Sequence, residues 1–498
     1  MHRFVPVLSI LLPGLLTAEI LAFIQIQRCM DPVIHNAINL EASGILTVPH
    51  GPAIATLAAM DMGLFAALLF VLSVGAGLTL ITFALAWASC TLVPDRRWIT
   101  FPAAGLWVGL LFFVNQNGPV LFPSLWALLI PPITWKSTVA RMPQSSIHES
   151  PFHKLAHLIP LVILACAALP LLGKGMFIDI RDSLLLSSRT GLAISDAYYR
   201  YTLPAAEVIK PIAARQLKTY TSDIPLSPQT EEELRAWGWH RTQPGLRPHI
   251  HLRQEGEHLM VSGSTLKATG ISKEEFAHAP GKALNTATLD GDRMGPFRSL
   301  ILFCLVPGFP ILLYALAFCP LRRIFAWIFD RPTASFLASL LCLLTGLSLL
   351  LPLYFLGEAR KGPQKPEVLN TYLFSEKRSE RLHAMRAAAK GKKLDVSETV
   401  LRRNLEGKDP AERYWTVTFL GSRPSETHWE LLLQALNDPN PNVVCKTVEA
   451  LSLAAPRLHQ TKMAQEAILR TLRASEHPYV QWYAFQALKR LGPLPRIP

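Results

Sequence analysis

Three histidines near the middle of the chain have a spacing that could bind a metal, a haem or a quinone. The segment IHESPFHKLAH contains His148, His153 and His157, with Glu149 beside the first of them. His153 and His157 are four residues apart, so on a helix they would share one face at the start of an apolar segment. Pro151 separates His148 from that pair, and a histidine beside a lysine at a membrane surface is more often solvated. We expect a solvated cluster, with a bound metal or cofactor as the alternative.

A second group of histidines lies in a predicted β-hairpin. His249 and His251 alternate along the first strand and would point to one face, while His258 lies on the second strand. Imidazole nitrogens that converge across two strands are suitable ligands for a transition metal. Histidines on an exposed hairpin more commonly face solvent. We therefore predict no metal here and keep these residues as candidates only.

One carboxylate lies well inside an apolar segment. Glu19 falls within residues 4–26, and no basic residue of another apolar segment is its evident partner. An ionisable group at that depth in a membrane is costly, so it is a functional candidate by default. Transporters and proton-coupled proteins usually carry several such groups, and here the rest of the set is limited to the turn amides of residues 115–117. This scarcity argues against transport.

The composition indicates a polytopic membrane protein. Of 498 residues, 50% are hydrophobic and 17% are charged, and 49 Lys+Arg against 36 Asp+Glu give a net charge of +13. Much of the positive excess lies in short loops between long apolar runs, as in membrane proteins. It does not form the clustered, aromatic-interleaved face that nucleic acid binding needs, so no nucleic acid partner is predicted. Motifs of serine hydrolases, P-loop proteins, dinucleotide-binding proteins and zinc proteases are absent from the sequence, and we predict no cofactor.

Five apolar runs are long enough to cross a bilayer, which takes about 20 residues of helix. They are residues 4–26, 63–92, 156–173, 300–318 and 334–356. The stretch 98–134 is harder to assign, because its halves 98–114 and 119–134 flank the polar turn Asn115–Gly118. If both halves cross, the total is seven spans; if they form one broken or re-entrant element, it is six. We favour seven.

Basic residues in short loops predict the orientation, since lysine and arginine are retained on the cytoplasmic side. Those of loop 135–155 are Lys136, Arg141 and Lys154, and those of loop 319–332 are Arg322, Arg323 and Arg331. Both loops are therefore predicted to be cytoplasmic. The prediction is an integral inner-membrane protein with 174–297 and 358–498 on the non-cytoplasmic side.

The insertion 174–297 is predicted to be a small α+β domain that rests on amphipathic helices. Phe177, Ile180 and Leu184 recur at helical spacing, and Pro204 and Pro211 are expected to limit the following helix to short pieces. A short helix at 231–237 precedes a β-hairpin formed by 249–254 and 257–262. Residues 265–296 are expected to be rich in loops, with one helical stretch near 272–278. Between the first two spans, 27–62 is expected to be an irregular loop.

The C-terminal region contains an internal repeat, after a charged linker at 358–374. One copy has Leu432, Leu433 and Leu436 before Asp438–Pro439, then Val443, Val448, Ala450 and Leu451; the next has Ile468, Leu469 and Leu472 before Pro478, then Val480, Ala484, Ala487 and Leu488; a diverged copy has Leu401, Leu405, Asp409, Pro410, Val417 and Leu420. A helix at 377–390 is predicted to cap the array.

This pattern resembles the short HEAT-like repeats that are also found in phycobilisome-lyase-type proteins. The resemblance covers 396–492, about a fifth of the chain. Such repeats usually carry an arginine just after the valine of the second helix, where this chain has Val444 and Gln481. The resemblance implies an α-solenoid over 375–498 whose curved surface binds another protein, and it implies no lyase activity.

Together these features predict a membrane scaffold that presents a protein-binding module outside the cytoplasm. The expected partners are the lipid bilayer and a protein bound through 375–498. The alternative is a membrane enzyme or transport component whose site lies among the spans, at Glu19 or at the His148, His153 and His157 cluster.

Overall fold

The computed structural model describes residues 7–91, 97–141, 158–171, 175–243, 245–361 and 365–494. This part of the chain is mostly helical and contains one small mixed sheet. Its contacts divide it into two units. The first comprises Met1–Asn36, Leu57–Ile163 and Pro204–Leu344, and the second comprises Ala37–Thr56, Leu164–Leu203 and Thr345–Pro498.

Four of the described helices are long and apolar enough to cross a membrane, or five if one bent helix pair forms a span. The helices up to the sheet domain are α1 (Val7–Ala42), α2 (Pro52–Ala58), α3 (Met60–Phe70), α4 (Ala76–Thr91), α5 (Arg97–Val114), α6 (Leu121–Arg141), α7 (Leu158–Ala168), α8 (Met176–Ile180) and α9 (Arg189–Ile209). A π-helical turn, Val71–Gly75, joins α3 to α4 into one long helix. This helix, α1 and two later helices are the four long ones.

Two prolines lie inside long helices and do not end them. Helix α1 continues through Pro32 to Ala42, so the prediction of an irregular loop at 27–62 is wrong. Helix α9 likewise continues through Pro204 to Ile209, so the short pieces expected there are one helix. A proline removes one backbone hydrogen bond, and burial of the flanking side chains, such as Ala37 and Leu203, compensates for that loss.

Small residues bring the helices of the first unit into close contact. A Cβ atom on Gly75 would lie 2.7 Å from the Cβ of Ala18, and one on Gly77 would lie 2.3 Å from the Cβ of Cys304. Such contacts let helix backbones approach where lipid supplies no hydrophobic driving force. The fully buried Trp126 lies in the same bundle.

Helices α5 and α6 form a hairpin around the polar turn Asn115–Gly118. Asn115 closes the turn, since its Oδ1 accepts hydrogen bonds from the backbone N–H of Val120 at 2.9 Å and from the Ser124 hydroxyl at 3.1 Å. The rings of Trp107 and Trp135 meet edge to face with centroids 5.3 Å apart. The two helices therefore pack against each other along their length.

The α+β domain contains a five-stranded sheet in the order β2-β1-β3-β4-β5. Its strands are β1 (Lys218–Ser222), β2 (Trp239–Arg241), β3 (Ile250–Glu255), β4 (His258–Gly263) and β5 (Leu266–Ser272), and its helices are α10 (Pro228–Ala236), α11 (Lys273–His278) and α12 (Pro280–Asp290). The β3–β4 hairpin and α10 confirm the predicted elements. The loop-rich interpretation of 265–296 is wrong, because β5 pairs with β4 and α12 packs on the sheet through Ala283, Leu284 and Ala287.

The chain then continues through two long apolar helices into a helical module, residues 365–494. The helices are α13 (Gly295–Phe325), α14 (Arg331–Lys361), α15 (Pro366–Tyr372), α16 (Arg378–Ala389), α17 (Glu398–Glu406), α18 (Pro410–Ser422), α19 (Glu426–Ala435), α20 (Pro441–Ala454), α21 (Thr461–Ala474) and α22 (Pro478–Leu491). From α15 onward they form consecutive pairs, and the second helices α16, α18, α20 and α22 stack side by side. The predicted helix at 377–390 corresponds to α16.

Polar residues define the repeating turns of the module. Asp409, Asn440 and His477 cap α18, α20 and α22, and a proline follows each of them. Arg378 donates two hydrogen bonds to the Asp409 carboxylate at 2.6 and 3.1 Å, and Arg413 makes the same contact with Asp438 at 2.6 and 3.0 Å. These forked pairs tie two of the three turns to the preceding helix pair.

Candidate functional site

The sequence candidates do not come together into one site. His148, His153 and His157 lie outside the described residues. Glu19 lies in α1, half-buried, and its Oε2 is buried without a hydrogen-bond partner within the described part of the chain. The described residues contain no group of three or more His, Cys, Asp or Glu side chains placed to hold a metal ion.

The two hairpin histidines bond to threonines on the neighbouring strand. Nδ1 of His249 lies 2.8 Å from the Thr219 hydroxyl, and Nδ1 of His251 lies 2.8 Å from the Thr221 hydroxyl. The backbone N–H of Thr219 also donates to Nδ1 of His249. Burial and the nearby Arg215 charge lower the pKa of His249 to about 3, so this ring is neutral at physiological pH. These contacts give the histidines a structural role in the sheet.

The most elaborate polar cluster lies in the second unit, between the chain's own α8 region and the helical module. We call it the docking joint, and it consists of Asp179, Arg181, Asp182, Arg386 and Trp415. Helix α8 supplies Asp179, and the π-helical turn Arg181–Leu185 that follows supplies the next two residues. The second helices α16 and α18 supply Arg386 and Trp415. Sequence positions some 200 residues apart thus meet in one place.

Arg386 is the centre of the docking joint. Its Nη1 donates to the Asp179 carboxylate at 2.7 Å, and its Nη2 donates to Asp182 Oδ2 at 2.5 Å. The indole N–H of Trp415 donates to the same Asp182 oxygen at 2.6 Å, and Arg181 Nε donates to the other oxygen at 2.7 Å. Each carboxylate is almost completely buried, so direct hydrogen bonds replace the lost hydration.

The electrostatics keep Asp182 ionised. Burial alone would raise the pKa of its carboxyl, but the charges of Arg181 and Arg386 and the hydrogen bonds from Arg181 and Trp415 outweigh it, so the pKa lies below its ordinary value. The Arg181 guanidinium also stacks on the Tyr414 ring, 3.8 Å from its centroid. The joint is therefore a charged contact in which each carboxylate accepts hydrogen bonds from cationic side chains, while Arg181 Nη2 is buried with no hydrogen-bond partner among the described residues.

Helix α9 and the segment before α2 extend this contact along the module. The Asn442 amide donates to the Ser195 hydroxyl at 3.3 Å, and the rings of Tyr199 and Tyr479 have centroids 4.9 Å apart. The backbone N–H of His50 donates to Gln481 Oε1 at 3.0 Å, and the Gln481 amide donates back to the His50 carbonyl at 2.7 Å. All of the module residues named here lie on its second helices.

The docking joint binds the α8 region to the helical module and fixes its position. It does not resemble a catalytic centre. The joint pairs carboxylates with guanidinium groups and an indole, and it holds no nucleophile beside a general base. Sequence reasoning missed it, although a signal existed: Asp179 and Asp182 interrupt a helix that was otherwise assigned by its apolar residues. Acids three residues apart on one helix face suggest a basic partner.

Comparison of the chain with protein-family models, with curated proteins and with solved structures finds no match. Its function must therefore be inferred from its own contacts.

Proposed function

We propose that this protein is an integral membrane scaffold that holds a protein partner on its helical module. The observation that carries the proposal is the docking joint, which fixes the module to the chain segment directly after a membrane helix. A scaffold needs a rigid attachment and a free binding face, and it does not need to catalyse a reaction. The module would then display its remaining surface at a constant place beside the bilayer.

Seven crossings are part of this proposal, and contacts within the first unit support them. At one end of the bundle, the Arg141 guanidinium donates to the Ser9 carbonyl at 2.8 Å. At the other end, the Asn36 amide donates to the Arg247 carbonyl at 3.0 Å, and the Asn117 amide donates to the Asp292 carbonyl at 3.1 Å. Helix α6 therefore runs between the same two levels as α1, so α5 and α6 are proposed to cross as a pair.

The resemblance to HEAT-like repeats gives the module its proposed role. Its paired helices, stacked second helices and capped Asp-Pro or Asn-Pro turns suit an α-solenoid, in which each pair buries its apolar face against its neighbours. Solenoids usually bind ligands through one extended surface. Here the second helices already hold the chain's own segment, so the partner must use a different surface.

The loops at one edge of the module supply such a surface. Consecutive helices joined by short turns run antiparallel, so loops 390–397, 423–425 and 455–460 share an edge. Their basic residues, which we call the basic edge, are Lys390, Lys392, Lys393, Arg423 and Arg457. The Arg423 guanidinium donates to the Lys392 carbonyl at 2.7 Å, which joins two of the loops. A basic edge of this kind favours an acidic protein partner.

Charge reversal tests this proposal. The full-length protein with Lys390, Lys392 and Lys393 changed to Glu should lose the acidic protein that co-purifies with the wild type at low salt. A matched control reverses the exposed residues Lys377, Lys408 and Arg470, which lie away from that edge and change the net charge equally. Retention of the partner by both variants, or loss from both, would contradict the assignment of this edge.

A membrane transport or enzymatic role is the second candidate, and Glu19 is the observation in its favour. Within the described part of the chain, its Oε2 is buried with no hydrogen-bond partner, which is costly in a membrane helix, and proton or ion handling is a common reason for such a feature. Glu19→Gln keeps the shape and removes the charge. Both variants would be expressed in a deletion strain at the normal membrane level. Failure of Glu19→Gln to restore the phenotype, together with restoration by the basic-edge variant, would favour the transport or enzymatic role over the scaffold role.

A further inference from the structure

The amphipathic pattern of α8 is reversed with respect to the protein it packs on. Asp179 of α8 and Asp182 of the π-helical turn after it are buried against the helical module, whereas Phe177 is 79% exposed. Ile180 and Leu184, which share the apolar face with Phe177, are half-buried. In a helix at the surface of a soluble protein the acids face water and the apolar side chains face the core. We therefore expect something other than water to cover Phe177.

Helix α9 shows the same division. Leu192, Ser195 and Tyr199 lie on one face and contact the module. Ile194 and Tyr198 lie one turn apart on a different face and are 54% and 52% exposed. The exposed apolar face therefore continues from α8 into α9.

The position of these helices in the chain identifies what covers them. Helix α7 is an apolar segment that leads into α8, and the axis of Ile159–Leu171 is bent by 110° from that of Met176–Leu185. The sequence predicts a membrane span at 156–173, and a helix at nearly a right angle to that span runs close to the plane of the bilayer. Helices with one strongly apolar face in that position lie in the interface, with aromatic residues at the level of the headgroups.

We propose that α8 and the first half of α9 lie in the membrane interface as a two-sided support. Phe177, Ile194 and Tyr198 insert between lipid headgroups, and the opposite face carries the helical module through the docking joint. The occupant of the exposed face is thus the bilayer in which the protein is embedded. This inference requires the membrane-spanning arrangement, and it does not require the proposed protein partner.

Photo-cross-linking in lipid nanodiscs tests the proposal. The full-length protein would carry benzoylphenylalanine at Phe177 or at Tyr198, and lipid adducts would be measured by mass spectrometry. Phe336 of α14, 65% exposed, is the positive control, and Leu453 on the module, 42% exposed, is the negative control. We expect adducts at both test positions at a level within a few-fold of Phe336 and at least tenfold above Leu453.

Three other results would overturn the proposal. Yields at Phe177 and Tyr198 equal to the yield at Leu453, with Phe336 still labelled, would mean that the face is not in contact with lipid. Cross-links from these positions to a second protein would assign the face to a protein interface. Missing adducts at Phe336 as well would remove the membrane-spanning arrangement itself, which distinguishes that failure from a failure of the interfacial helix alone.

Discussion

Arg386 is the residue on which the docking joint depends most. It pairs with two buried carboxylates, so its removal would take one counter-charge from Asp179 and one from Asp182. Loss of one member of a buried ion pair typically costs about 3–5 kcal/mol. We predict that Arg386→Met lowers the free energy of local opening at residues 178–186 by roughly this amount, measured by hydrogen exchange of the full-length protein.

The control for this prediction is Arg402→Met. Arg402 pairs with Glu398 one turn away on an exposed helix face, and exposed pairs of this kind contribute about 0–1 kcal/mol. Its exchange at 178–186 should match the wild type. Combining Asp179→Asn with Arg386→Met should recover part of the loss, because Asp179 then carries no charge and Asp182 keeps Arg181 as its counter-charge. Equal exchange in Arg386→Met and Arg402→Met would show that the joint does not hold the segment.

His477 should make the contact between α9 and the module sensitive to acid. Burial and the Arg200 charge lower its pKa, Asp196 opposes them, and the result is about 4, below the ordinary 6.5. A depressed pKa means that protonation favours the open state, so stability is complete above about pH 6.5 and is lost as the pH falls toward 4. His477→Asn keeps the capping acceptor and removes the titration.

The measurement is the pH dependence of opening at residues 192–200 in both proteins. The variant should lose less stability than the wild type between pH 6.5 and 4. Asp182, whose pKa is also depressed, adds a loss of stability with the same sign. Both proteins share this loss, so it cancels when their pH profiles are subtracted. Parallel pH profiles for the two proteins would rule out His477 as the source.

At the scale of elements, the contact between α18 and α20 depends on one glycine. A Cβ on Gly421 would lie 2.6 Å from the Cβ and 2.8 Å from the Cα of Ala450, so a methyl group there must push the helices apart. Overpacking of this kind costs about 1–3 kcal/mol. Helix propensity alone predicts the opposite sign, since Ala is favoured over Gly in a helix by about 1 kcal/mol.

We therefore predict that Gly421→Ala lowers the thermal unfolding midpoint of the full-length protein in detergent. The neighbouring exposed substitution Ser422→Ala serves as the control, and it should leave the midpoint nearly unchanged. A rise in the midpoint for Gly421→Ala would mean that propensity dominates and that the two helices tolerate a wider spacing.

Local patterns in the sequence predicted many elements well. Apolar runs located the four long helices, alternation located the β3–β4 hairpin, and the proline turns located the helices of the module. The prediction that Pro204 limits its helix to a short piece was wrong, and so was the irregular loop at 27–62, since α1 continues through Pro32. Strand β5 was missed because Leu266–Ser272 carries few large apolar residues and gains its stability from pairing with β4.

The docking joint could not be predicted from local patterns, because its energy comes from partners distant in sequence. Asp182 and Arg386 are each unremarkable in their own segments, and only the folded chain brings them within 2.5 Å. The apolar spacing of Phe177, Ile180 and Leu184 did predict a helix. It did not reveal that the acids between them form the face that binds protein.

At the scale of the whole molecule, contacts within each unit restrict which segments share a side of the membrane. In the second unit, His50 and Asp182 contact the helical module, so the region before α2, the α8 region and the module must lie on one side. In the first unit, the α5–α6 turn and the end of α1 contact the α+β domain. We predict that the two sets share a side, because the sequence between α9 and the α+β domain holds no apolar run long enough to cross a bilayer.

This reasoning predicts a labelling pattern. In a variant without native cysteines, single cysteines at Gly256 in the α+β domain and at Lys393 on the module should both react with an impermeant maleimide added to intact cells. A cysteine at Phe329, between α13 and α14, should react only after the membrane is permeabilised, because the arginines around it are retained on the cytoplasmic side. Labelling of Gly256 and Lys393 from opposite sides would contradict the shared side, since an odd number of crossings would then separate them. Labelling of both only after permeabilisation would keep the shared side and reverse the orientation, and the proposed partner would then have to be sought in the cytoplasm.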